Sequence, residues 1–237
     1  SAVSRVFTVG ASASKQTVEK VRLAAEELGY RPNILARAMV SGHSRMIGLV
    51  VAYLDNQFYP ETLEKLSNAL QEKGYHVLVF MAGKDSQSID GVIEEILDYQ
   101  VDGIIAASVA LSSDLATRCR TAGVPMVLFN RDQDDPLMSS VTSDNIAGGR
   151  KVAELFLASG HKRIGYISGW EGASTQRDRE AGFVARLSEA GRVLYARETG
   201  DFRMDTAREA TLKMFSTDPP DAVFVANDHM AISVMDT

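Results

Sequence analysis

Met46-Ile47-Gly48-Leu49-Val50-Val51 is a near-continuous apolar run, and runs like it recur down the chain. The others are His76-Val77-Leu78-Val79-Phe80, Gly103-Ile104-Ile105-Ala106, Met126-Val127-Leu128-Phe129, Arg163-Ile164-Gly165-Tyr166-Ile167 and Ala222-Val223-Phe224-Val225-Ala226. Such runs suit strands covered on both faces. Between them the apolar residues take helical spacing. Leu63, Leu66 and Leu70 share one face, as do Ile89, Ile93, Ile96 and Leu97, and again Val152, Ala153, Phe156 and Leu157. Gly74, Gly123 and Gly160 each follow a helical stretch, where a left-handed closing residue is wanted. Repeated strand-helix units predict an α/β fold built on doubly wound parallel sheets.

Sheets of this kind hold small molecules at the carboxyl ends of their strands. Here those ends read Ala52-Tyr53-Leu54-Asp55-Asn56, Asn130-Arg131-Asp132, Ser168-Gly169-Trp170 and Asn227-Asp228. Loops are polar in any case. The recurrence of amides, carboxylates, an arginine and aromatics together points further, to a polyhydroxylated ligand. Planar polar groups satisfy hydroxyls, while aromatic faces stack on the apolar side of a sugar ring.

The first 45 residues differ in kind. They carry seven basic and three acidic residues, against 18 and 28 in the remainder, so the overall charge of −6 divides into +4 and −10. A basic head on an acidic body is expected where only the head meets a polyanion. A solvated helix face explains the same charges, and charge alone does not choose. Ser14 reads as the N-cap of a helix whose Val18, Val21, Ala25 and Leu28 form an apolar face, closed by Gly29. After Arg31-Pro32-Asn33, a short helical pattern runs from Ile34 to Val40 and ends at Ser41-Gly42. It is too short to be stable alone. An order-disorder element and a plain linker both fit it.

The chain of 237 residues, 45% hydrophobic and 24% charged, is long enough for more than one core. No apolar run approaches the ~20 residues that span a bilayer, and no opening segment reads as a signal peptide. A single cysteine, Cys119, excludes an internal disulfide and C-x-x-C chemistry, which fits a reducing cytosol. On its helical stretch beside Arg118 and Arg120, Cys119 reads as a half-buried helix residue. No P-loop, strand-following G-x-G-x-x-G, G-x-S-x-G or H-E-x-x-H is present. His43, His76, His161 and His229 are scattered without metal-ligand spacing. No cofactor, metal or catalytic residue is expected.

Val3-Ser4-Arg5-Val6, Glu26-Glu27-Leu28-Gly29-Tyr30-Arg31-Pro32-Asn33, Leu35-Ala36-Arg37 and Ile47-Gly48-Leu49-Val50 together resemble the LacI/GalR family of bacterial transcription regulators. The body agrees, through Asp55-Asn56-Gln57-Phe58-Tyr59, Val101-Asp102-Gly103-Ile104-Ile105, Asp144-Asn145 with Gly148-Gly149, Gly160-His161-Lys162-Arg163-Ile164 and Val225-Ala226-Asn227-Asp228. The resemblance implies a helix-turn-helix head (residues 1–31, partial), a hinge helix and linker (32–45), and two effector-binding lobes (46–143 and 144–237, the second incomplete). It further implies a periplasmic-binding-protein-like body that dimerises, a cytoplasmic and nucleoid-associated protein, and no membrane partner. Against that plan the chain starts inside the recognition helix and stops before the last strands, and so reads as a fragment.

By the resemblance, Arg5 meets a base edge and Ser4 a phosphate, while Ser14, Lys15 and Thr17 form a phosphate site at a helix start. Asn33 and Arg37 touch backbone phosphates. Met39 stands at the family's minor-groove wedge, where Ala36 and Ala38 keep the surface small. Methionine in place of leucine departs from the family, and ordinary hinge packing also fits it. For the effector the resemblance implies Asp55, Gln57, Phe58 and Tyr59 on a first-lobe loop and Asn130 and Arg131 at a strand end. From the second lobe it implies Thr175, Arg177, Arg179, Phe202 and Asn227. Relatives often have proline at Gln57 and aspartate at Asn130.

The function so implied is a sequence-specific DNA-binding regulator, a repressor controlled by a sugar or sugar derivative between the lobes. Residues 33 to 41 would be its bistable element. The alternative is a sugar-binding protein of the periplasmic transport type. The body permits it, and the basic head argues against it. An enzyme lacks its motifs, and a purely structural role leaves the polar strand ends unexplained.

Overall fold

The computed structural model describes residues 2–7, 13–31, 42–52, 54, 56–82, 86–109, 113–133, 135 and 137–237. The chain divides into two compact units, Ser1–Arg45 and Met46–Thr237.

In the first unit, α1 spans Ala2–Val6 and α2 spans Lys15–Glu27. Ser14 caps α2 as its sequence requires: its Oγ accepts from the Thr17 amide at 3.2 Å. Leu28 and a left-handed Gly29 (φ 61°) close the helix. Phe7 packs against Tyr30, with ring centroids 5.8 Å apart. The short helical pattern from Ile34 to Val40 lies outside the described residues.

The second unit holds two parallel sheets. The first has the order β2-β1-β3-β4-β5, from β1 (Met46–Val51), β2 (His76–Met81), β3 (Gly103–Ala107), β4 (Met126–Phe129) and β5 (Ser139–Val141). Helices α3 (Phe58–Glu72), α4 (Ser86–Asp98) and α5 (Ser113–Thr121) connect its first four strands. The second sheet has the order β7-β6-β8, from β6 (Ile164–Ser168), β7 (Ala196–Thr199) and β8 (Ala222–Val225). Its helices are α6 (Asn145–Ala158), α7 (Ser174–Glu189), α8 (Met204–Met214) and α9 (Asp228–Asp236). Every strand pair is parallel.

Both sheets are covered on two faces, as the unbroken apolar runs demand. Val50 points into a core with Ile89, Ile93 and Ile96 of α4, while Leu49 and Val51 point into another with Tyr59 and Leu63 of α3. In the second sheet, Tyr166 packs with Phe183 of α7, and Ile167 faces Ala210 and Met214 of α8. The closing glycines behave as expected, with φ of 79° at Gly74, 71° at Gly123 and 80° at Gly160. Cys119 is fully buried, more deeply than expected, because α5 lays it into the first core; burial pushes its thiol pKa up, away from nucleophilic use.

Two strands escaped the sequence reading. Both β5 and β7 are short edge strands without an apolar run, and all three residues of β5 are exposed. In each sheet the chain leaves its first strand to one side and returns on the other. This places crevices beside β1/β3 and β6/β8 at the carboxyl ends.

Candidate functional site

A cleft of about 460 Å³ opens at those carboxyl ends, with walls from both sheets. The segment after β1 contributes Asn56, Phe58 and Tyr59; the segment after β4 contributes Asn130 and Arg131. Across from them stand Asn145 of α6, Thr175 and Arg179 of α7, Phe202 after β7, and Asn227 after β8.

The first wall is built by local turns. The Asn56 side chain accepts from the Phe58 amide at 3.0 Å and starts α3. Phe58 then lies flat on Phe129, with centroids 6.0 Å apart and an interplanar angle of 12°, and meets buried Tyr59 edge-on at 5.2 Å. Asn130 is left-handed (φ 67°), a conformation asparagine tolerates, and its amide donates to the Ser108 hydroxyl at 2.8 Å. The buried Arg131 guanidinium lies 5.1 Å from the centre of the Trp170 ring. Beside it the Asp132 amide donates to the Ser174 hydroxyl at 2.8 Å, tying a first-sheet loop to the start of α7.

The second wall rests on a close helix crossing. A methyl group on Gly182 of α7 would lie 2.1 Å from the Ile146 carbonyl oxygen, and one on Gly149 of α6 2.1 Å from that of Arg179. The backbones meet because neither residue has a side chain. This contact sets Arg179 beside Asn145: its Nε donates to Asn145 Oδ1 at 2.8 Å and its Nη1 to the Ala226 carbonyl. Among the described residues no carboxylate comes within 4 Å of Arg179. Burial lowers its pKa, the cost of desolvating a cation, without making it titratable near neutrality.

Gln176 is fully buried behind this wall. Its carbonyl accepts from the Tyr166 hydroxyl at 2.9 Å and the Gly169 amide at 2.7 Å, and its amide donates to Glu180 at 2.7 Å. Arg197 joins Glu180 and Glu171, and holds the Glu171 carboxyl below its ordinary range. Burial pushes the Tyr166 hydroxyl pKa up, so that it stays a donor.

Phe202 is held in the left-handed region (φ 56°), a strained conformation for a phenylalanine. Its ring occupies the space a side chain at position 169 would fill: a methyl there would lie 2.2 Å from the ring. Gly169→Ala is therefore expected to push the Phe202 ring out of place and weaken binding of any sugar that stacks on it by about tenfold. Calorimetry on the wild-type and variant proteins checks this; an unchanged affinity would remove Phe202 from the site.

Of the residues proposed for a ligand, Phe58, Tyr59, Asn130, Arg131, Thr175, Arg179, Phe202 and Asn227 line the cleft. Gln57 and Arg177 do not. Gln57 is exposed ahead of α3. Arg177 stands two residues from both Thr175 and Arg179, on the far side of the helix, and pairs with Asp178 at 3.0 Å. Asp55 lies outside the described residues. Asn56, Asn145, Asp144, Asp228 and His229 also line the cleft and were not singled out. Asn56 and Asp228 carried a signal in their strand-end positions, whereas the part played by Gln176 emerges only from tertiary contact. Among the described residues no group of acidic, cysteine or histidine side chains could hold a metal, and no helix is long and apolar enough to cross a membrane.

Of the residues proposed for DNA, positions 4 and 5 lie on α1, with the Arg5 side chain exposed. Ser14, Lys15 and Thr17 stand at the start of α2, where the Ser14 and Thr17 hydroxyls lie 2.8 Å apart. Asn33, Ala36, Arg37 and Met39 lie outside the described residues.

Residues 44–236 match the family described as periplasmic binding proteins and sugar binding domain of LacI family. The chain is 29% identical to the catabolite control protein A of Priestia megaterium, over 98% of this chain and 71% of that protein. It is 32% identical to the maltose regulon regulatory protein MalI of Escherichia coli, over 81% of this chain and 56% of the relative. The solved structure of the lac repressor dimer bound to operator and the anti-inducer ONPF superposes with a TM-score of 0.88 at 26% identity, covering 99% of this chain and 72% of that one.

Proposed function

The chain belongs to the LacI family of transcriptional regulators, and we propose that it is a repressor whose hold on operator DNA is set by a sugar or sugar derivative bound in the cleft. The observation that carries this is the cleft itself. Two sheets bring amides, flat aromatic rings and a guanidinium without a carboxylate partner among the described residues to one opening. Guanidinium and amide groups offer donors to sugar hydroxyls, and Phe58 and Phe202 offer faces. No step of this function requires catalysis.

In this reading Phe58, Tyr59, Asn130, Arg131, Thr175, Arg179, Phe202 and Asn227 hold the effector, with Asn56 and Asn145 added to them. Ser4, Arg5, Ser14, Lys15 and Thr17 meet DNA, with Asn33, Ala36, Arg37 and Met39 joining them through the hinge. The protein acts as a homodimer, matching a two-fold operator, in the cytoplasm at the nucleoid. The body on its own suits a periplasmic sugar carrier; the basic head, net +4 over residues 1–45, favours the regulator.

Gel retardation by the full-length protein, with fragments of the DNA around its own coding region, tests the reading. A specific fragment should be retained, with affinity falling about a hundredfold or more between about 50 and 200 mM salt. A sugar that raises the melting temperature should shift that retention. Absence of any salt-sensitive retention would leave the carrier reading in its place.

A further inference from the structure

Arg197 is not among the residues that line the cleft. It stands on β7, an edge strand of the second sheet, with its side chain 36% exposed. An isolated ion pair at such a place contributes little. What sets Arg197 apart is where its partners lead. Its fork engages Glu180 of α7 through two nitrogens, Nε to Oε1 at 2.5 Å and Nη2 to Oε2 at 2.9 Å. Nη2 also donates to Glu171 at 2.5 Å, on the loop that joins β6 to α7. One guanidinium therefore grips both that loop and the helix that follows it.

From Glu180 the bonds run inward. Its Oε2 accepts from the Gln176 amide at 2.7 Å, and the Gln176 carbonyl accepts from the Gly169 amide at 2.7 Å. Gly169 is the residue against which the Phe202 ring lies, and Phe202 follows β7, five residues on from Arg197. The path thus closes on itself. From Glu171 a second path reaches the same loop. Its carboxylate accepts from the fully buried Ser168 hydroxyl at 3.1 Å, next to Gly169. The loop also carries Trp170, the only tryptophan in the chain. A methyl on Gly172 would lie 2.4 Å from the Trp170 ring, and the Arg131 guanidinium, from the segment after β4, lies over that ring.

We propose that Arg197 is a positioning residue for effector binding: from outside the cleft, through Glu180 and Glu171, it holds the loop over residues 169–173 where Gly169 seats the Phe202 ring and Trp170 meets Arg131. Without the guanidinium, two carboxylates that shared it repel each other. Glu180, 21% exposed, is the costlier of the two to leave unpaired. Glu171, 57% exposed, turns to water and releases Ser168 and the loop. Phe202 then loses its seat although no group of the cleft lining has been removed. The inference rests on the effector reading above.

The test uses the full-length protein with Arg197→Met, which keeps the stem and removes the fork, and Arg197→Lys, which keeps the charge. Glucose, galactose, fructose, ribose and maltose are titrated into the wild-type protein by calorimetry, and those that bind are titrated into the variants. Arg197→Met should bind them about tenfold more weakly, and Arg197→Lys should recover part of the loss. Trp170 emission, read without sugar, should move to longer wavelength in Arg197→Met as the indole gains water. Combined with Gly169→Ala, the loss should be smaller than the product of the two single losses, because both act on one seat. An Arg197→Met protein that melts lower but keeps either the wild-type sugar affinity or the wild-type emission makes Arg197 a stability residue and overturns the proposal, as do losses that simply multiply. If none of the sugars binds, the emission decides alone: a shift leaves Arg197 its hold on the loop and only the sugar reading fails, whereas no shift overturns the proposal. Should Arg197→Met not fold, Glu171→Gln, which loosens the loop from its exposed side, is read by the same two measures.

Discussion

Arg179→Gln is expected to weaken sugar binding in the cleft by about 30- to 1,000-fold, with the protein folded and still retained on operator DNA. The size follows from what is removed. Arg179 bonds to Asn145 Oδ1 and the Ala226 carbonyl and lines the cleft. Glutamine is shorter and has no charge, so both oxygens lose a charged donor and the ligand loses its clamp. Arg179→Lys keeps the charge without the planar fork and should fall between the two. In retardation assays the Gln variant should hold DNA at sugar concentrations that change the wild-type protein's retention. Equal sugar affinity in wild-type and Gln proteins would take Arg179 out of the binding site.

Gly182→Ala has the largest expected effect on stability. The added methyl would sit 2.1 Å from the Ile146 carbonyl oxygen, which belongs to the α6 backbone and cannot turn aside like a side chain. The helices must separate, opening the core around Phe183 and Tyr166. Overpacking against rigid atoms costs on the order of 3 kcal/mol, about 10 °C in melting temperature for a unit of this size. Gly149→Ala should do the same through the Arg179 carbonyl. Gly148→Ala is the control, because a methyl there meets nothing within 4 Å. Thermal denaturation of the three variants checks the order; a Gly182→Ala protein as stable as wild type would refute the close crossing.

The apolar runs were legible because central parallel strands are buried on both faces, as Val50 between Leu49 and Val51 illustrates. The strands β5 and β7 were not, since an edge strand needs no apolar run and each has only one neighbour in its sheet. Strand ends made Asn130, Arg131 and Asn227 readable as cleft residues, since topology alone sends strand ends there. Thr175 and Arg179 came from resemblance, and helix geometry separates them from Arg177, which the same resemblance included. Gln176 and Gly182 gave no signal, and Gly169 stood only as part of a strand-end run. A glycine that admits a ring or a carbonyl, and a glutamine that joins a tyrosine to a helix start, acquire their roles only when distant segments meet.

The central claim is that one effector site and one DNA site share a single equilibrium. It is tested most directly by measuring both affinities in the full-length protein: operator binding with and without the sugar that most raises the melting temperature, and binding of that sugar with and without operator. The account predicts that the two ratios are equal and differ clearly from one, since coupling between sites is reciprocal. A sugar that occupies the cleft with the same affinity in free and operator-bound protein, and leaves operator binding unchanged, would contradict it.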